Sequence, residues 1–315
     1  MRTLYLDCGM GAAGDMLTAA LLELLPEREA FLAELNGLGI PGVEFSTEKC
    51  EKCGISGTHM SVKIHGREEG EAHPHTHGTM RDIRAIVEGL PISTMVKLDI
   101  LSVYEEIAQA ESHVHGVPVS QIHFHEVGAL DAVADITAVC LLLHRLQPEQ
   151  ILASPVHVGS GTVKCAHGIL PVPAPATAWL LRGIPVYGGE ISGELCTPTG
   201  AALLRHFVTD FGNQPTMRVE SIGYGMGKKD FPRVNCLRVM LGQTEEAGDE
   251  IAELCCNLDD MTGEDIGFAM ETLLAAGALD VFTAPIGMKK SRPGVLLTVL
   301  CRPAEQETMA KLLLA

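Results

Sequence analysis

The chain of 315 residues is 46% hydrophobic but only 4% aromatic, so it can bury a large aliphatic core, and its length predicts two domains of a soluble globular protein. Its 40 Asp and Glu residues outnumber its 23 Lys and Arg residues, and the net charge of −17 argues against nucleic acid and anionic membrane surfaces as partners. Cations and small molecules are the partners that this composition favours.

The amino terminus lacks the apolar stretch of a signal peptide, and no apolar run approaches the length of about 18 residues that spans a bilayer. We therefore expect a cytoplasmic protein whose ten cysteines are reduced thiols. The thirteen histidines are more informative, because seven of them stand in His-x-His spacings that suit metal binding.

Residues 3–7 predict a short buried strand, and a helix follows from about Met16 to Leu25. Between them, three glycines have the Gly-x-Gly-x-x-Gly spacing of a dinucleotide-binding loop: Gly9, Gly11 and Gly14. However, Asp7 and Asp15 put negative charge where a pyrophosphate would lie. We therefore interpret the three glycines as a tight turn whose backbone approaches a bound metal ion or substrate.

Two antiparallel strands are predicted over residues 42–49 and 58–64, on either side of Cys50 and Cys53. A single Cys-x-x-Cys supplies half of the ligands of a structural zinc site, and no second pair has a suitable spacing. Two ordinary thiols at a hairpin tip are therefore the favoured interpretation.

Residues 66–78 are polar and flanked by glycine, which predicts a loop. The loop carries three alternating histidines: His73, His75 and His77. Imidazoles in this pattern suit a borderline divalent metal such as nickel, copper or zinc, so we predict metal capture. The alternative is a solvated loop that binds nothing.

After two predicted helices, over about residues 79–90 and 94–114, the sequence reaches a strand that turns into an apolar helix. His123 and His125 lie two apart on the strand and share a side, while Asp131 and Asp135 lie one turn apart on the helix. Together with Glu126 they converge near one corner, and burying these carboxylates requires a metal ion or hydrogen-bond donors. We predict these five residues as catalytic and the two histidines also as metal ligands. The alternative is a helix cap and a solvent-facing aspartate.

A glycine-turned hairpin is predicted over residues 152–171, where Lys164 is available to a phosphate or carboxylate. Helices follow from about Ala176 and after an N-cap at Thr197 or Thr199. Residues 222–235 predict a flexible glycine loop rich in cations, which is either a phosphate-binding surface or an ordinary hairpin. Its cations are Lys228, Lys229 and Arg233.

Residues 1–242 therefore predict a mixed α/β domain, and an acidic linker follows over residues 243–250. Residues 251–315 show the order strand, helix, strand, strand, helix, which is a ferredoxin-like order without its last strand. The predicted fold class is α+β. In the second domain Asp259, Asp260 and Glu264 together favour magnesium or manganese. Lys289 and Lys290 offer positive charge to phosphates.

Taken together, these stretches resemble the nickel insertion proteins of the lactate racemase nickel-pincer cofactor pathway, which are pyridinium-3,5-bisthiocarboxylic acid mononucleotide nickel chelatases. The motifs that carry the resemblance run in order over nearly the whole chain: residues 7–16, the histidine tract, and residues 123–135, 158–168, 197–202, 223–229 and 257–263.

The resemblance implies a CTP-dependent cyclometallation of lyase type. CTP activates the mononucleotide by cytidinyl transfer, nickel enters between two thiocarboxylate sulfurs and a pyridinium carbon, and CMP leaves. It also implies a Mn²⁺–CTP or Mg²⁺–CTP complex bound largely in the C-terminal part, in proteins that extend beyond the position of Ala315. The product would pass to an apoenzyme of the lactate racemase type, and we expect a homo-oligomer. The rival hypothesis is a nickel-storage or metallochaperone protein, and a third is a metal-dependent phosphohydrolase.

Overall fold

The computed structural model of the chain describes residues 1–68, 78–122, 124, 130–165, 168–245 and 251–314. The chain divides into two compact units, Met1–Thr244 and Glu245–Ala315. None of the helices in this described part combines the length and the apolar character that a bilayer crossing requires.

The first unit mixes helices and strands along the chain. Its helices are α1 (Gly14–Glu23), α2 (Arg28–Gly37), α3 (Met80–Gly89), α4 (Thr94–His115), α5 (Leu130–Leu146), α6 (Pro175–Leu180) and α7 (Pro198–Phe207). Its strands are β1 (Arg2–Asp7), β2 (Val43–Lys52), β3 (Ile55–Ile64), β4 (Arg67–Glu68), β5 (Gln150–Ala153), β6 (Val156–His157), β7 (Gly159–Ser160), β8 (Thr162–Cys165), β9 (Gly168–Pro171), β10 (Val186–Tyr187), β11 (Gly193–Glu194), β12 (Asp210–Phe211), β13 (Met217–Met226) and β14 (Cys236–Thr244).

One mixed sheet organises this unit, in the order β12-β5-β1-β14-β13-β3-β2, with β4 paired to β3. Strand β1 runs parallel to β5 and antiparallel to β14, so the sheet is mixed around it. The mixed arrangement of helices and strands agrees with the predicted α+β class. Strand β14 continues through Thr244, so the first two residues of the predicted linker belong to the sheet, and residues 246–250 lie outside the described residues.

Helix α1 packs against the sheet at two glycines of β13. A Cβ atom at Gly223 would clash with the carbonyl oxygen of Ala20, and one at Gly225 would clash with that of Met16. The prediction of a flexible glycine loop over residues 222–235 is therefore wrong for its first part. Those glycines stand in a strand because only a residue without a side chain lets the helix backbone approach so closely.

Helix α5 lies in the core of the unit, where it packs against α1 and α4. It is apolar on nearly all sides, and twelve of its seventeen residues are buried. A helix that is hydrophobic around its whole circumference is expected only where other elements surround it. This environment explains why the sequence of α5 is polar only in its first two turns and in its last turn, where His144 and Arg145 are exposed.

Side chains at the helix starts agree with the predicted boundaries. Thr79 and Asp82 form a reciprocal capping box at α3, and Ser93 caps α4. At α7 the structure selects Thr197 over Thr199 as the N-cap, because the Gly200 N–H donates to the Thr197 hydroxyl oxygen at 3.1 Å. Helix α2 was not predicted.

The second unit contains β15 (Ala252–Leu258), α8 (Gly263–Ala275), β16 (Asp280–Met288), β17 (Arg292–Cys301) and α9 (Gln306–Leu313). Its antiparallel sheet has the order β15-β17-β16, so β17 is the central strand. Leu273 of α8 and Met309 of α9 join Val299 and other strand residues in a separate apolar core. The ferredoxin-like assignment of this unit stays a prediction.

The helix–sheet contact can be tested with Gly225→Ala. The substitution should lower the free energy of unfolding by about 2–3 kcal/mol, because the new methyl group meets a main-chain oxygen that cannot move aside. Urea unfolding followed by the fluorescence of Trp179, the chain's one tryptophan, measures it. Gly37→Ala at the end of α2 is the matched control, since nothing lies within 4 Å of its added Cβ. Equal stability of the two variants would contradict the close packing.

Candidate functional site

Six of the predicted site residues lie outside the described residues: His73, His75, His77, His123, His125 and Glu126. The structure does describe Gly78, which directly follows the histidine tract, and Phe124, which stands between the two histidines of the His-x-His pair. These two residues pair with each other in an antiparallel bridge, in which the Phe124 N–H donates to the Gly78 carbonyl oxygen at 3.1 Å. The bridge thus connects Gly78, at the end of the tract, to Phe124, between His123 and His125.

Phe124 is buried and anchors this bridge in the core. Its ring meets the ring of Tyr104 from α4 edge to face, with 6.1 Å between the ring centroids. Such aromatic pairs hold a fixed geometry in addition to their buried area. The backbone position of Phe124 is therefore set by packing.

Asp131 and Asp135 are both half-buried on the first two turns of α5, and we call them the acidic face of α5. A Cβ atom at Gly14 would lie 2.5 Å from Oδ2 of Asp135, so the first residue of α1 packs directly on this carboxylate. The structure thereby brings together two predicted site residues that are far apart in the sequence.

Tyr104 contributes a hydroxyl group near the acidic face of α5. The residue is fully buried, and its hydroxyl oxygen has no hydrogen-bond partner among the described residues. Burial raises the pKa of Tyr104 well above its usual value, and the negative charges of Asp131 and Asp135 raise it further. The phenol therefore stays protonated and keeps a proton to donate. Sequence analysis placed Tyr104 only in the core.

The three glycines of the predicted tight turn have different neighbours. The Gly9 N–H donates to Oδ1 of Asp7 at 3.2 Å, and Nδ1 of His157 donates to the Gly9 carbonyl oxygen at 3.1 Å. Gly11 has a positive φ of 76°, and a Cβ there would clash with the carbonyl oxygen of Leu195. Thus Gly11 and Gly14 allow close packing of protein against protein, while Gly9 lines a cavity.

This cavity of about 450 Å³, which we call the arginine cavity, opens at one end of the main sheet. It is lined by Asp7, Gly9, Met10, Ile55, Tyr224, Arg233, Val234, Cys236 and Arg238. Burial raises the pKa of Cys236, and nearby Asp7 raises it further, so this residue is a neutral thiol at neutral pH. Two arginines and one aspartate are therefore the charged groups among the lining residues.

Three lining residues form a row across neighbouring strands, the polar row of Asp7, Arg238 and Tyr224. Asp7 pairs with Arg238 across β1 and β14, and Arg238 pairs with Tyr224 across β14 and β13. Nη2 of Arg238 donates to Oδ2 of Asp7 at 2.6 Å. Burial alone would lower the pKa of Arg238, but the interactions with Asp7 and Tyr224 outweigh it and raise that pKa.

The sequence analysis missed Arg238 and Tyr224. A lone arginine inside the apolar run Leu237–Leu241 was a usable signal for Arg238, since a buried strand seldom carries a charge without a partner. No sequence signal identified Tyr224, because its role depends on which strands become neighbours.

The predicted cationic residues of the first unit do not all reach the arginine cavity. Arg233 lines it, whereas Lys228 and Lys229 are exposed and are absent from its described lining. Lys52 donates to the carbonyl oxygen of Lys229 at 3.1 Å, which holds their loop against the tip of the β2–β3 hairpin. Lys164 is exposed on β8 and also lies outside the cavity lining.

In the second unit, the predicted residues gather at one end of the sheet. Asp259 and Asp260 follow β15, and Lys289 and Lys290 lie in the turn between β16 and β17. The guanidinium of Arg292 lies 4.0 Å from Oδ2 of Asp259 and so links the two loops. Carboxylates and cations therefore stand close together here.

No three His, Cys, Asp or Glu side chains anywhere in the described residues are grouped closely enough to hold one metal ion.

Comparison with known proteins decides the family. The family model described as "Nickel insertion protein" matches residues 4–315. The chain belongs to the nickel insertion protein family. The resemblance predicted from the sequence motifs is thereby confirmed.

Several members of the family are similar to this chain over its full length. A putative nickel insertion protein of Geotalea daltonii is 43% identical over 320 residues, covering 100% of this chain and 80% of the relative. The pyridinium-3,5-bisthiocarboxylic acid mononucleotide nickel insertion protein of Geobacillus kaustophilus is 40% identical over 329 residues, again covering 100% and 80%. The protein of the same name in Desulfitobacterium hafniense is 43% identical over 321 residues, covering 99% and 78%.

One solved structure is also similar in part. It is the apo form of the C-terminal domain of a cyclometallase involved in the synthesis of the NPN cofactor of lactate racemase. The match covers 20% of this chain and 44% of that one, with 48% sequence identity and a TM-score of 0.20. A TM-score this low carries no argument about the fold.

The unpartnered hydroxyl near the acidic face of α5 can be tested by Tyr104→Phe. Removing it should raise the free energy of unfolding by about 1 kcal/mol, because a buried hydroxyl without a partner is destabilising. Tyr5→Phe is the matched control, since its hydroxyl donates to the Gly212 carbonyl oxygen at 3.2 Å and its loss should destabilise by about 1 kcal/mol. Urea unfolding of both variants measures the difference. Destabilisation of Tyr104→Phe would mean that this hydroxyl has a partner.

Proposed function

We propose that this protein inserts nickel into pyridinium-3,5-bisthiocarboxylic acid mononucleotide in a CTP-dependent cyclometallation. The structural observation that carries the proposal is the pairing of Gly78 with Phe124, which joins the histidine tract to the His-x-His pair along the backbone. The names of the relatives from Geobacillus kaustophilus and Desulfitobacterium hafniense support the choice of substrate.

Nickel is the cargo of this reaction, and histidines suit it as a borderline metal. We assign its capture to His73, His75 and His77, and its holding or transfer to His123 and His125. The described neighbours of the two groups, Gly78 and Phe124, are hydrogen-bonded at 3.1 Å, which supports transfer of the metal from one group to the other. This hydrogen bond fits transfer of nickel from the tract to the pair better than independent binding at two distant sites.

The chemistry also needs a base. A nickel–carbon bond forms only when the ring carbon gives up its proton, so a proton acceptor must stand near a partly liganded metal. We assign this role to the group of Glu126, Asp131 and Asp135. The packing of Gly14 on Asp135 limits the positions that this carboxylate adopts.

Phosphate groups of the substrate would be held by the cations of the first unit: Lys164, Lys228, Lys229 and Arg233. The turn that contains Gly9 would bring its backbone to the substrate, and Gly11 and Gly14 hold that turn against neighbouring segments.

We assign CTP, with its magnesium or manganese ion, to the second unit. Asp259 and Asp260 would bind the metal ion, and Lys289 and Lys290 would bind the phosphates. Magnesium in proteins is commonly held by one or two carboxylates together with substrate phosphates, and this pair of aspartates beside cationic side chains fits that donor set. The bound ion would neutralise phosphate charge.

The central assignment is tested by changing His123 and His125 together to alanine. Nickel incorporation should fall at least about a hundredfold, because the variant lacks the imidazoles that hold the metal beside the ring. Mass spectrometry of the product after incubation with nickel, CTP and the bisthiocarboxylate mononucleotide measures it. The matched control changes His113 and His115 to alanine, another His-x-His pair at the end of α4. Undiminished product from the first variant would contradict the assignment of His123 and His125. Product formed without consumption of CTP would contradict the CTP-dependent step.

The delivery role is tested separately by changing His73, His75 and His77 to serine. The variant should bind nickel at least about tenfold more weakly than the wild type. Its turnover at saturating nickel should stay unchanged, because the tract only raises the local supply of metal. Calorimetric titration and turnover assays give the two quantities. Loss of turnover at saturating nickel would place the tract in the reaction itself. If the protein only stores nickel, neither the wild type nor this variant should consume CTP, although both would bind nickel.

A further inference from the structure

We propose that the arginine cavity binds the phosphate monoester end of a pyridinium mononucleotide, with Arg238 as the principal phosphate ligand and Arg233 as the second. This inference rests on the proposed function for the identity of the nucleotide. It adds to that function a defined cavity and one ligand residue, Arg238, that is not among the cations assigned above to the substrate phosphate: Lys164, Lys228, Lys229 and Arg233.

The direction in which the polar row faces follows from the packing of α1. Gly223 and Gly225 approach the backbone of α1 on one face of β13. Side chains alternate along a strand, so Tyr224 faces the opposite side, as do its cross-strand neighbours Arg238 and Asp7. All three therefore point into the arginine cavity, away from the helix.

The charge of the cavity differs in sign from that of the protein. Two guanidinium groups and one carboxylate line it, in a chain whose net charge is −17. An acidic protein repels a substrate that carries a phosphate and two thiocarboxylates unless a local cationic site attracts it. Arg233 and Arg238, which both line the cavity, supply such a site.

Arg238 is already held in position to bind an anion. Asp7 accepts a hydrogen bond from its Nη2 at 2.6 Å and so orients the planar guanidinium. Its Nε is enclosed, but the side chain as a whole is 43% exposed, so the outer part of the guanidinium is accessible to a ligand in the cavity. An accessible guanidinium in a fixed plane suits the bidentate recognition of phosphate.

The remaining lining residues suit a flat cationic ring. The aromatic face of Tyr224 and the carboxylate of Asp7 favour a pyridinium, while Met10, Ile55 and Val234 provide apolar contact. A volume of about 450 Å³ lies within the range of about 300–1,000 Å³ usual for small-molecule pockets.

A short stretch of chain joins the cavity to the acidic face of α5. Gly9 lines the cavity, and Gly14, five residues later, packs on Asp135. Five residues of chain span at most about 18 Å even when fully extended, which limits the distance between Gly9 and Gly14.

The test measures binding of nicotinic acid mononucleotide, a pyridinium mononucleotide, to the full chain by calorimetric titration without nickel or CTP. Arg238→Gln and Arg233→Gln should each weaken binding about tenfold or more, because each removes a charge-assisted hydrogen bond to the phosphate. Arg238→Lys should recover part of the loss, since it restores the charge without the planar fork. Arg145→Gln is the matched control, because Arg145 also pairs with a carboxylate, that of Glu34 at 2.6 Å, outside the cavity.

Three further arms make the outcome decisive. The dephosphorylated riboside should bind weakly to the wild type and equally weakly to Arg238→Gln, whereas equal affinity for riboside and mononucleotide would overturn the proposal. Loss of CTP binding rather than mononucleotide binding in Arg238→Gln would assign the cavity to CTP and overturn it too. If Arg238→Gln does not fold, as judged by its thermal midpoint, the exposed Arg233→Gln decides in its place.

The result is independent of the nickel assay. Arginine-dependent binding of the mononucleotide with no nickel insertion would support the cavity and reject the proposed function. Nickel insertion together with unchanged mononucleotide binding by both arginine variants would support the proposed function and reject the cavity as the phosphate site.

Discussion

The first unit depends on the direct contact between the backbone of α1 and strand β13. Glycine at positions 223 and 225 permits this contact, because any side chain would occupy the space of the Ala20 and Met16 carbonyl oxygens. With α1 on one face of the sheet, the alternation of the strand directs Tyr224, Arg238 and Asp7 to the other. The same contact positions the glycine turn that leads into α1: Gly9 lines the arginine cavity, and Gly14, the first residue of α1, packs on Asp135.

Two kinds of ligand need opposite electrostatic environments, and the described residues of the first unit separate them. A cation is favoured near Asp131 and Asp135, where the negative charge is strong enough to raise the pKa of Tyr104 beyond the effect of burial. An anion is favoured in the arginine cavity, where Asp7 orients Arg238 without cancelling the charge of both arginines. The proposed reaction, which brings a divalent metal to a phosphorylated, sulfur-bearing ring, needs both environments.

The candidate site was only partly predictable. The spacing of Asp131 and Asp135 along an apolar helix predicted two carboxylates in a restricted environment, and both are half-buried at the start of α5. Lys228 and Lys229 looked equivalent to Arg233 in the sequence, yet of these three only Arg233 belongs to the described lining of the cavity. Charge type is visible in a sequence, but the direction of a side chain depends on the loop that carries it, and that loop is held by Lys52 from a distant strand and by Asn235 at its own end.

Local patterns determined most of the secondary structure by themselves. Capping residues and 3.6-residue periodicity predicted α3, α4, α5 and the alternation of elements in the second unit, because these signals come from interactions between residues that are close in sequence. Tertiary structure alone decided that Gly223 and Gly225 belong to a strand, that Arg238 stands between Asp7 and Tyr224, and that Gly78 pairs with Phe124. Each of these depends on which distant segments become neighbours, and short-range propensity contains no information about that choice.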